Sequence, residues 1–289
     1  MKIKILIPVY NDWQSAFKLL ENINSEVSNL GHEFSVIIVN DASTESRPEL
    51  SKNLDNLNSI KIINMKENRG HARCNASGLK HIYENEEFDY VIPMDGDGED
   101  RPEEIKQLVD NLNYHPDKPI VGERIKRSEG VFFKFCYFTH KLITSTFTGQ
   151  SIKYGNYTCL PKSIVEKMIN EKATWSSFSG ALAKIAKDRA PIPSERGKRY
   201  FGPSKMSFKN LLIHSLSIVS VFKTNVLIRS ILFLIVYFFL IHQNITPIML
   251  IPVLLVFILI VSVIIISKRE NLEELNNSLI NISNIDNLK

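Results

Sequence analysis

Two carboxylates one residue apart, Asp95 and Asp97, close the apolar run Tyr90-Val91-Ile92-Pro93 in the segment Met94-Asp95-Gly96-Asp97. At the end of a strand such a pair suits a hard divalent cation. Mg²⁺ and Mn²⁺ prefer oxygen ligands and are commonly held by one or two carboxylates plus substrate phosphates. The ligand predicted in this way is the diphosphate of a nucleotide. Asp-Gly-Asp-Gly is equally good turn chemistry, so the reading depends on what the rest of the chain supplies.

The elements that must carry the pair are visible as a pattern. Apolar runs of strand length, Ile3 to Val9, Phe34 to Asn40, Ile60 to Asn64 and Tyr90 to Met94, alternate with amphipathic stretches such as Trp13 to Leu30 and Ala72 to Tyr83. Alternation of this kind predicts an α/β fold, a mostly parallel sheet covered by helices. Ligands in such sheets bind at the carboxyl ends of the strands. A polar cluster follows each predicted strand: Tyr10-Asn11-Asp12, Asn40-Asp41-Ala42-Ser43, Asn68-Arg69-Gly70-His71 and Asp95-Gly96-Asp97. Asp12, Ser43 and Asn68 are also good helix N-caps, but four clusters in register predict one site on one sheet edge.

A basic segment, Arg196-Gly197-Lys198-Arg199-Tyr200-Phe201-Gly202-Pro203-Ser204-Lys205, follows much later. It reads either as a patch for anionic lipid headgroups, at about 1 kcal/mol per charge, or as a clamp in which Arg and Lys pair with diphosphate oxygens. His71 reads as a phosphate contact or as a capping or packed histidine. Trp175 and Phe178 read as lipid-path, interface or core residues.

Beyond this segment, Ile231 to Ile241 and Ile248 to Ile266 contain no charged side chain. The second matches the length that a hydrocarbon core of roughly 30 Å requires. The first becomes long enough from Val226, if Arg229 snorkels to the headgroups. The expected organisation is a domain over 1–205, a juxtamembrane amphipathic helix over 206–225, a transmembrane hairpin over 226–267 and a C-terminal tail over 268–289. A buried hairpin in a soluble core is the alternative. Lys209, Lys223 and Arg229 precede the pair, Lys268 and Arg269 follow it, and the loop 242–247 has no Lys or Arg. By the positive-inside rule the large domain is expected on the cytoplasmic side of the inner membrane.

The N-terminus reads as a first strand and not as a signal peptide. Cys74, Cys136 and Cys159 suggest neither a disulfide framework nor a zinc site. The net charge of +4 is partly explained by membrane-flanking residues, so no nucleic-acid partner is expected. Val131 to Gly149 reads as an amphipathic helix near the membrane or as core, and the last twenty residues as a short terminal helix or a frayed end.

Taken together, IPVYND, VNDAST, NRGHARCNASGL, MDGDGEDRPEEI, ERGKRYFGPSK and the hairpin resemble the membrane-attached branch of the family 2 glycosyltransferases, the polyprenyl-phosphate (dolichyl- or undecaprenyl-phosphate) sugar transferases. The resemblance implies a glycosyltransferase A-type, Rossmann-like fold. It also implies inverting, Mg²⁺- or Mn²⁺-dependent transfer from a nucleotide-diphosphate sugar to a polyprenyl phosphate at the membrane, in a protein that can form homo-oligomers. Pro8 and Tyr10 would border the nucleobase and Asp41 would read base or ribose. Asp12, Asn68, Gly70, His71, Asp95, Arg124 and Ser204 would complete the donor site. Asp95 and Asp97, with Glu99, would bind the metal. Asp97, Arg199, Lys205 and Asn156 form the expected catalytic set, with Arg199 and Lys205 neutralising phosphate.

The chain departs from its relatives in places. Asn40-Asp41-Ala42-Ser43 replaces a common Asp-Asp-Gly-Ser, and Glu99 stands where an amide is frequent. Asn156, in Gly155-Asn156-Tyr157-Thr158-Cys159-Leu160, occupies the place of an Asp assigned a catalytic role in bacterial relatives. An amide cannot act as a general base, which matters less for a lipid phosphate that is already anionic. A hydroxyl acceptor would need a base such as Glu123 or Asp188. A non-catalytic membrane scaffold is the third reading.

Overall fold

The computed structural model describes residues 1–50, 52–126, 138–139, 141–203 and 207–289. Strands β1 (Lys2–Val9), β2 (Glu33–Asn40), β3 (Ser59–Met65) and β4 (Tyr90–Pro93) form a parallel set with β1 at its centre. Each lies within one residue of its expected ends. Helix α1 (Trp13–Glu26) covers one face, packing Trp13, Ala16, Leu20 and Ile23 with Ile3, Ile5 and Ile7. Helix α2 (His71–Asn85) covers the other, with Leu79 and Ile82 in the cluster that holds Leu6, Ile37 and Val39. Burial on both faces is why these strands are nearly continuous apolar runs. Gly78 lets α2 approach the sheet, since a Cβ there would stand 2.4 Å from Leu6 Cδ1.

Four further strands were not expected: β5 (Ile120–Lys126), β6 (Thr158–Pro161), β7 (Ala190–Glu195) and β8 (Ile282–Asn287). With them the described residues make one eight-stranded sheet in the order β7-β5-β6-β4-β1-β2-β3-β8. β6 runs antiparallel to β4 and β5, and β8 runs antiparallel to β3. β7 carries Pro191 and Pro193 on its exposed side at the sheet edge, where a missing N–H is tolerated. Helices α3 (Ile105–Asp110), α4 (Lys162–Ile169) and α5 (Phe178–Ile185) complete the layers.

One charged residue interrupts β1. The Lys4 side chain, 10% exposed, pairs with Glu86 at 2.9 Å, and Lys61 reaches the other Glu86 oxygen at 2.6 Å. Burial pushes the Glu86 carboxyl up, but the two lysines outweigh it and hold the group below its usual range. We expect Glu86→Gln to cost about 3 kcal/mol, because Lys4 is left buried without a counter-charge. The folded-state pKa is depressed, so the contribution is present above about pH 4.5 and is lost as pH falls through the folded value. Thermal unfolding of wild type and variant should differ at pH 7 and converge under acid.

The C-terminal part begins with α6 (Phe208–Ser220), followed after a short break by α7 (Lys223–Ile241) and α8 (Ile251–Ser267). The last three residues of the segment expected as a juxtamembrane helix therefore open α7. The two candidate membrane-spanning helices have mean hydropathies of 2.2 and 3.4, with 11% of each apolar window buried. A soluble-core hairpin would be mostly buried; here Ile231, Leu232, Ile235, Phe239, Leu254 and Phe257 are all more than half exposed. The first of them docks on a π-helical turn, Thr144–Thr148, within the stretch expected as an amphipathic helix. The rest of that stretch from Val131 to Cys136, Tyr137 and His140 lies outside the described residues. Asn225 donates to Thr148 O at 3.1 Å and Arg229 to Thr146 O at 2.9 Å. Arg229, exposed at this level of the helix, thus also donates to a protein carbonyl.

The last residues also differ from expectation. Beyond α8 the chain forms α9 (Leu272–Asn276) and returns to the sheet as β8, where Asp286 pairs with Arg47 at 2.7 Å. The residues expected as a tail are an edge strand, made hard to see by the polar alternation of Ile-Ser-Asn-Ile-Asp-Asn. Because the chain enters and leaves the hairpin attached to the same sheet, both ends of the hairpin lie on one side.

Candidate active site

The polar clusters after β1, β2 and β4 meet the loop before α2 at the carboxyl edge of the parallel strands. Asp41, 4% exposed, accepts hydrogen bonds from Arg69 N at 2.9 Å and Gly70 N at 2.8 Å. Both carboxylate oxygens therefore suspend the Asn68-Arg69-Gly70 loop, a role the sequence did not indicate for the expected base reader. Asn40 donates to Asn64 Oδ1 at 2.9 Å while its own Oδ1 accepts from Ser43 N at 2.9 Å. An Asp at position 40 could not donate across to β3, which accounts for the departure from Asp-Asp-Gly-Ser. Asn11 and Ala42 both have left-handed backbones, with φ of 51° and 56°. Each costs on the order of 1 kcal/mol. Asn11 Oδ1 receives Thr44 N and Glu45 N, fixing the turn that holds Ala42. Pro8 is buried within β1 and Tyr10 is 44% exposed beside it.

The acidic turn after β4 holds three aspartates. Asp95 Oδ1 lies 2.9 Å from His71 Nε2 and accepts from Asn156 Nδ2 at 3.2 Å. Burial would raise the Asp95 carboxyl, but His71, Arg124 and Asn156 together draw it well below the usual range. Asp97 is raised to about 6 by burial and by the charge of Asp95. Asp100, which the sequence reading passed over, accepts from Asp95 N at 2.9 Å and is raised to about 8 by burial and Asp95. Its signal was present as a third aspartate in the same turn. Arg124 Nη2 approaches Asp100 at 3.9 Å.

The basic segment lies over this turn. Tyr200 N donates to Asp97 O at 3.0 Å and Gly197 N to Glu99 O at 2.8 Å. Gly98, at φ 88°, leaves room for the Tyr200 ring, which a Cβ would meet at 2.5 Å. Arg199 forks between Asp97 Oδ2 and Asp12 Oδ2, the latter at 2.6 Å. Arg196 pairs with Glu99, so the expected third metal ligand is engaged elsewhere. Ser204 and Lys205 lie outside the described residues. Glu123 pairs with Lys153, and Asp188 is exposed and pairs with Lys118, so neither is bonded to the Asp95 cluster.

The donor set fits a substrate-bridged cation. Among the described residues no three His, Cys, Asp or Glu side chains stand at ligating spacing. The described residues thus offer at most two carboxylates to one cation, which suits the habit of Mg²⁺ and Mn²⁺ of taking their other ligands from phosphate and water. Burial first, and then the neighbouring Asp95 charge, raise the Asp97 carboxyl despite Arg199.

Comparison with known proteins gives the family and the fold. The sequence profile described as glycosyl transferase family 2 matches residues 4–165. The undecaprenyl-phosphate 4-deoxy-4-formamido-L-arabinose transferase of Salmonella paratyphi B is 29% identical over 236 residues, covering 78% of this chain and 69% of the relative. The mannosyltransferase of Pyrobaculum calidifontis, solved with GDP-Man and Mn²⁺, superposes with a TM-score of 0.52 at 14% identity, over 96% of this chain and 74% of its own. Glucosyl-3-phosphoglycerate synthase of Mycobacterium tuberculosis, solved with Mn²⁺, UDP and phosphoglyceric acid, gives 0.54 at 11% identity, over 78% of each chain. The fold is of the glycosyltransferase A type, and the chain belongs to glycosyl transferase family 2.

Proposed function

We propose that this glycosyltransferase moves a sugar from a nucleotide-diphosphate donor to a polyprenyl phosphate, with inversion, at the cytoplasmic face of the inner membrane. The observation that carries the proposal is the fork of Arg199 between Asp97 and Asp12, under a cationic segment laid across the acidic turn. A donor diphosphate entering between them would exchange that internal pairing for its own oxygens. Asp95 and Asp97 would hold Mg²⁺ or Mn²⁺, which supplies charge stabilisation for the departing nucleoside diphosphate. Arg199, with Lys205 as a further candidate, neutralises the charge that remains. His71 and Asn156 fix the orientation of Asp95 through its Oδ1. The hairpin, whose two ends share a side, would present the lipid phosphate at the interface.

The test is a mass-spectrometric screen of nucleotide sugars against undecaprenyl phosphate with Mn²⁺, using purified full-length protein. A glycosyl-phospholipid of inverted anomeric configuration is expected. Transfer to a lipid-linked sugar hydroxyl, with none to the phosphate, would reverse the choice of acceptor.

Asn156 separates the two acceptors independently. If the acceptor oxygen is already anionic, no base is needed there. Asn156→Asp should then lower turnover, roughly tenfold, because it sets a second carboxylate against Asp95 where a hydrogen bond now stands. A hydroxyl acceptor predicts a gain, read directly in initial rates.

A further inference from the structure

A line of side-chain hydrogen bonds crosses the carboxyl edge of the parallel strands, from the last strand of the chain to the loop after β2. It follows the sheet order β8-β3-β2-β1 one strand at a time. Asp286 Oδ2 on β8 accepts from Asn64 Nδ2 on β3 at 3.1 Å, and Asn64 Oδ1 accepts from Asn40 Nδ2 on β2 at 2.9 Å. Asn40 Oδ1 in turn accepts from Ser43 N at 2.9 Å, and Ser43 Oγ accepts from Asn11 N, just beyond β1, at 2.9 Å. Asn40 and Asn64 are direct partners in the register of β2 and β3.

The group at the end of the line decides the direction of the links before it. A carboxylate only accepts, whereas an amide offers a carbonyl on one side and an NH₂ on the other. Arg47 Nη1 donates to Asp286 Oδ2 at 2.7 Å, and Asn284 Nδ2 to Oδ1 at 2.7 Å. The bond from Arg47 and then that from Asn64 hold the Asp286 carboxyl below its usual range, so it is ionised at neutral pH. Asn64 must therefore turn its NH₂ to Asp286 and its carbonyl to Asn40. Asn40 must then turn its NH₂ to Asn64 and its carbonyl to Ser43 N. Reversing Asn64 sets a carbonyl against the carboxylate, and reversing Asn40 sets an NH₂ against the Ser43 N–H.

Ser43 closes the turn in which Ala42 has its left-handed φ of 56° and Asp41 suspends the backbone of Arg69 and Gly70. Such a conformation persists only where its surroundings over-determine it. A fixed acceptor under Ser43 N–H is one restraint of that kind. Arg47, four residues further on, ties the same loop to the same carboxylate.

We propose that Asp286 is a positioning residue for donor binding: by ending the line on a carboxylate it orients the Asn64 and Asn40 amides, and through them the Asp41-Ala42-Ser43 turn that meets the nucleoside. The proposal rests on the reading of this turn as part of the donor site. It gives the strand that follows the hairpin a part in holding the nucleotide, although no atom of β8 need touch it.

The experiment uses purified full-length protein with UDP or GDP and Mn²⁺. In Asp286→Asn the final acceptor becomes an amide, and the direction of the line is no longer imposed. Calorimetric Kd for the nucleotide, and KM for the nucleotide sugar that the wild type turns over, should rise about fivefold, with kcat changed by less than about twofold. Combining Asp286→Asn with Asn64→Asp moves the carboxylate one strand inward, where it accepts from Asn40 on one side and from the new amide on the other. The double variant should return Kd and KM to within about twofold of wild type, a recovery that non-interacting sites would not give.

Wild-type affinity in Asp286→Asn, or a double variant that binds no better than Asp286→Asn, would overturn the positioning role. If Asp286→Asn alone does not fold, the double variant must still fold and bind as the wild type does, and its failure would overturn the role equally. Hydrogen exchange over residues 40–46 distinguishes this from failure of the donor-site reading. Nucleotide with Mn²⁺ should slow exchange there in the wild type. No slowing would remove the turn from the donor site and the proposal with it, whereas slowing with unchanged affinity in the variants would overturn the role of Asp286 alone.

Discussion

Asp97→Asn is expected to lower sugar transfer on the order of 10³-fold while leaving the protein as stable as wild type or more so. The amide keeps the shape of the side chain and the acceptor for Glu99 N at 2.9 Å, so the turn retains its backbone support. Arg199 loses one carboxylate of its fork and keeps Asp12. What disappears is one of two anionic oxygen donors for the cation and, with it, the mutual repulsion that, after burial, helps raise Asp97 to about 6. A catalytic carboxylate of this kind lowers stability in the absence of ligand, so its neutralisation should separate the two properties. Calorimetry with UDP or GDP and Mn²⁺ should show metal-dependent binding lost, and the melting temperature should not fall. Metal-dependent nucleotide binding at wild-type strength would remove Asp97 from the metal site. A several-degree loss of melting temperature would show that the substitution damaged the turn.

Strands β1 to β4 could be read from the chain because they are largely buried on both faces and so appear as runs rich in Ile and Val, broken by Lys4 in β1 and Lys61 in β3. The other four strands could not. β6 is four residues long, β7 contains two prolines, and β8 shows more polar than apolar side chains, so each lacks the periodicity that marks a strand. β8 also joins the sheet only after the hairpin, a long-range pairing on which local pattern is silent. Within the site, residue types indicated which groups gather: the acidic turn carries two bonded sets, His71 and Asn156 on Asp95, and Arg199 between Asp12 and Asp97. Partners were harder to foresee. Asp41 is turned to backbone N–H groups and Glu99 to Arg196, because a buried or half-buried charge takes the nearest donor or acceptor that packing provides. Asp100 was passed over for the same reason, since only the folded turn brings its carboxylate under Asp95 N.

Arg199 should affect the two ligands of the site in opposite directions. Its guanidinium spans Asp97 and Asp12 and occupies carboxylate oxygens that a divalent cation would need. Without nucleotide, Arg199→Gln therefore removes a competing positive charge and should tighten Mn²⁺ binding several-fold in a titration followed by electron paramagnetic resonance. When the donor binds, its diphosphate brings negative charge of its own, to which the released guanidinium can turn. That interaction is made more fully as charge develops on the leaving group, so the same variant should lose on the order of 10² to 10³ in kcat. Arg199→Lys should restore part of the rate but not the fork, because an ammonium cannot engage two separated carboxylates in one plane. Weaker Mn²⁺ binding in Arg199→Gln would mean that the arginine organises the acidic turn for the cation instead of competing with it. The ion pair with Asp12 separates the two roles again: if Arg199 competes, Asp12→Asn leaves the guanidinium to Asp97 alone and should weaken Mn²⁺ binding, opposite in direction to Arg199→Gln.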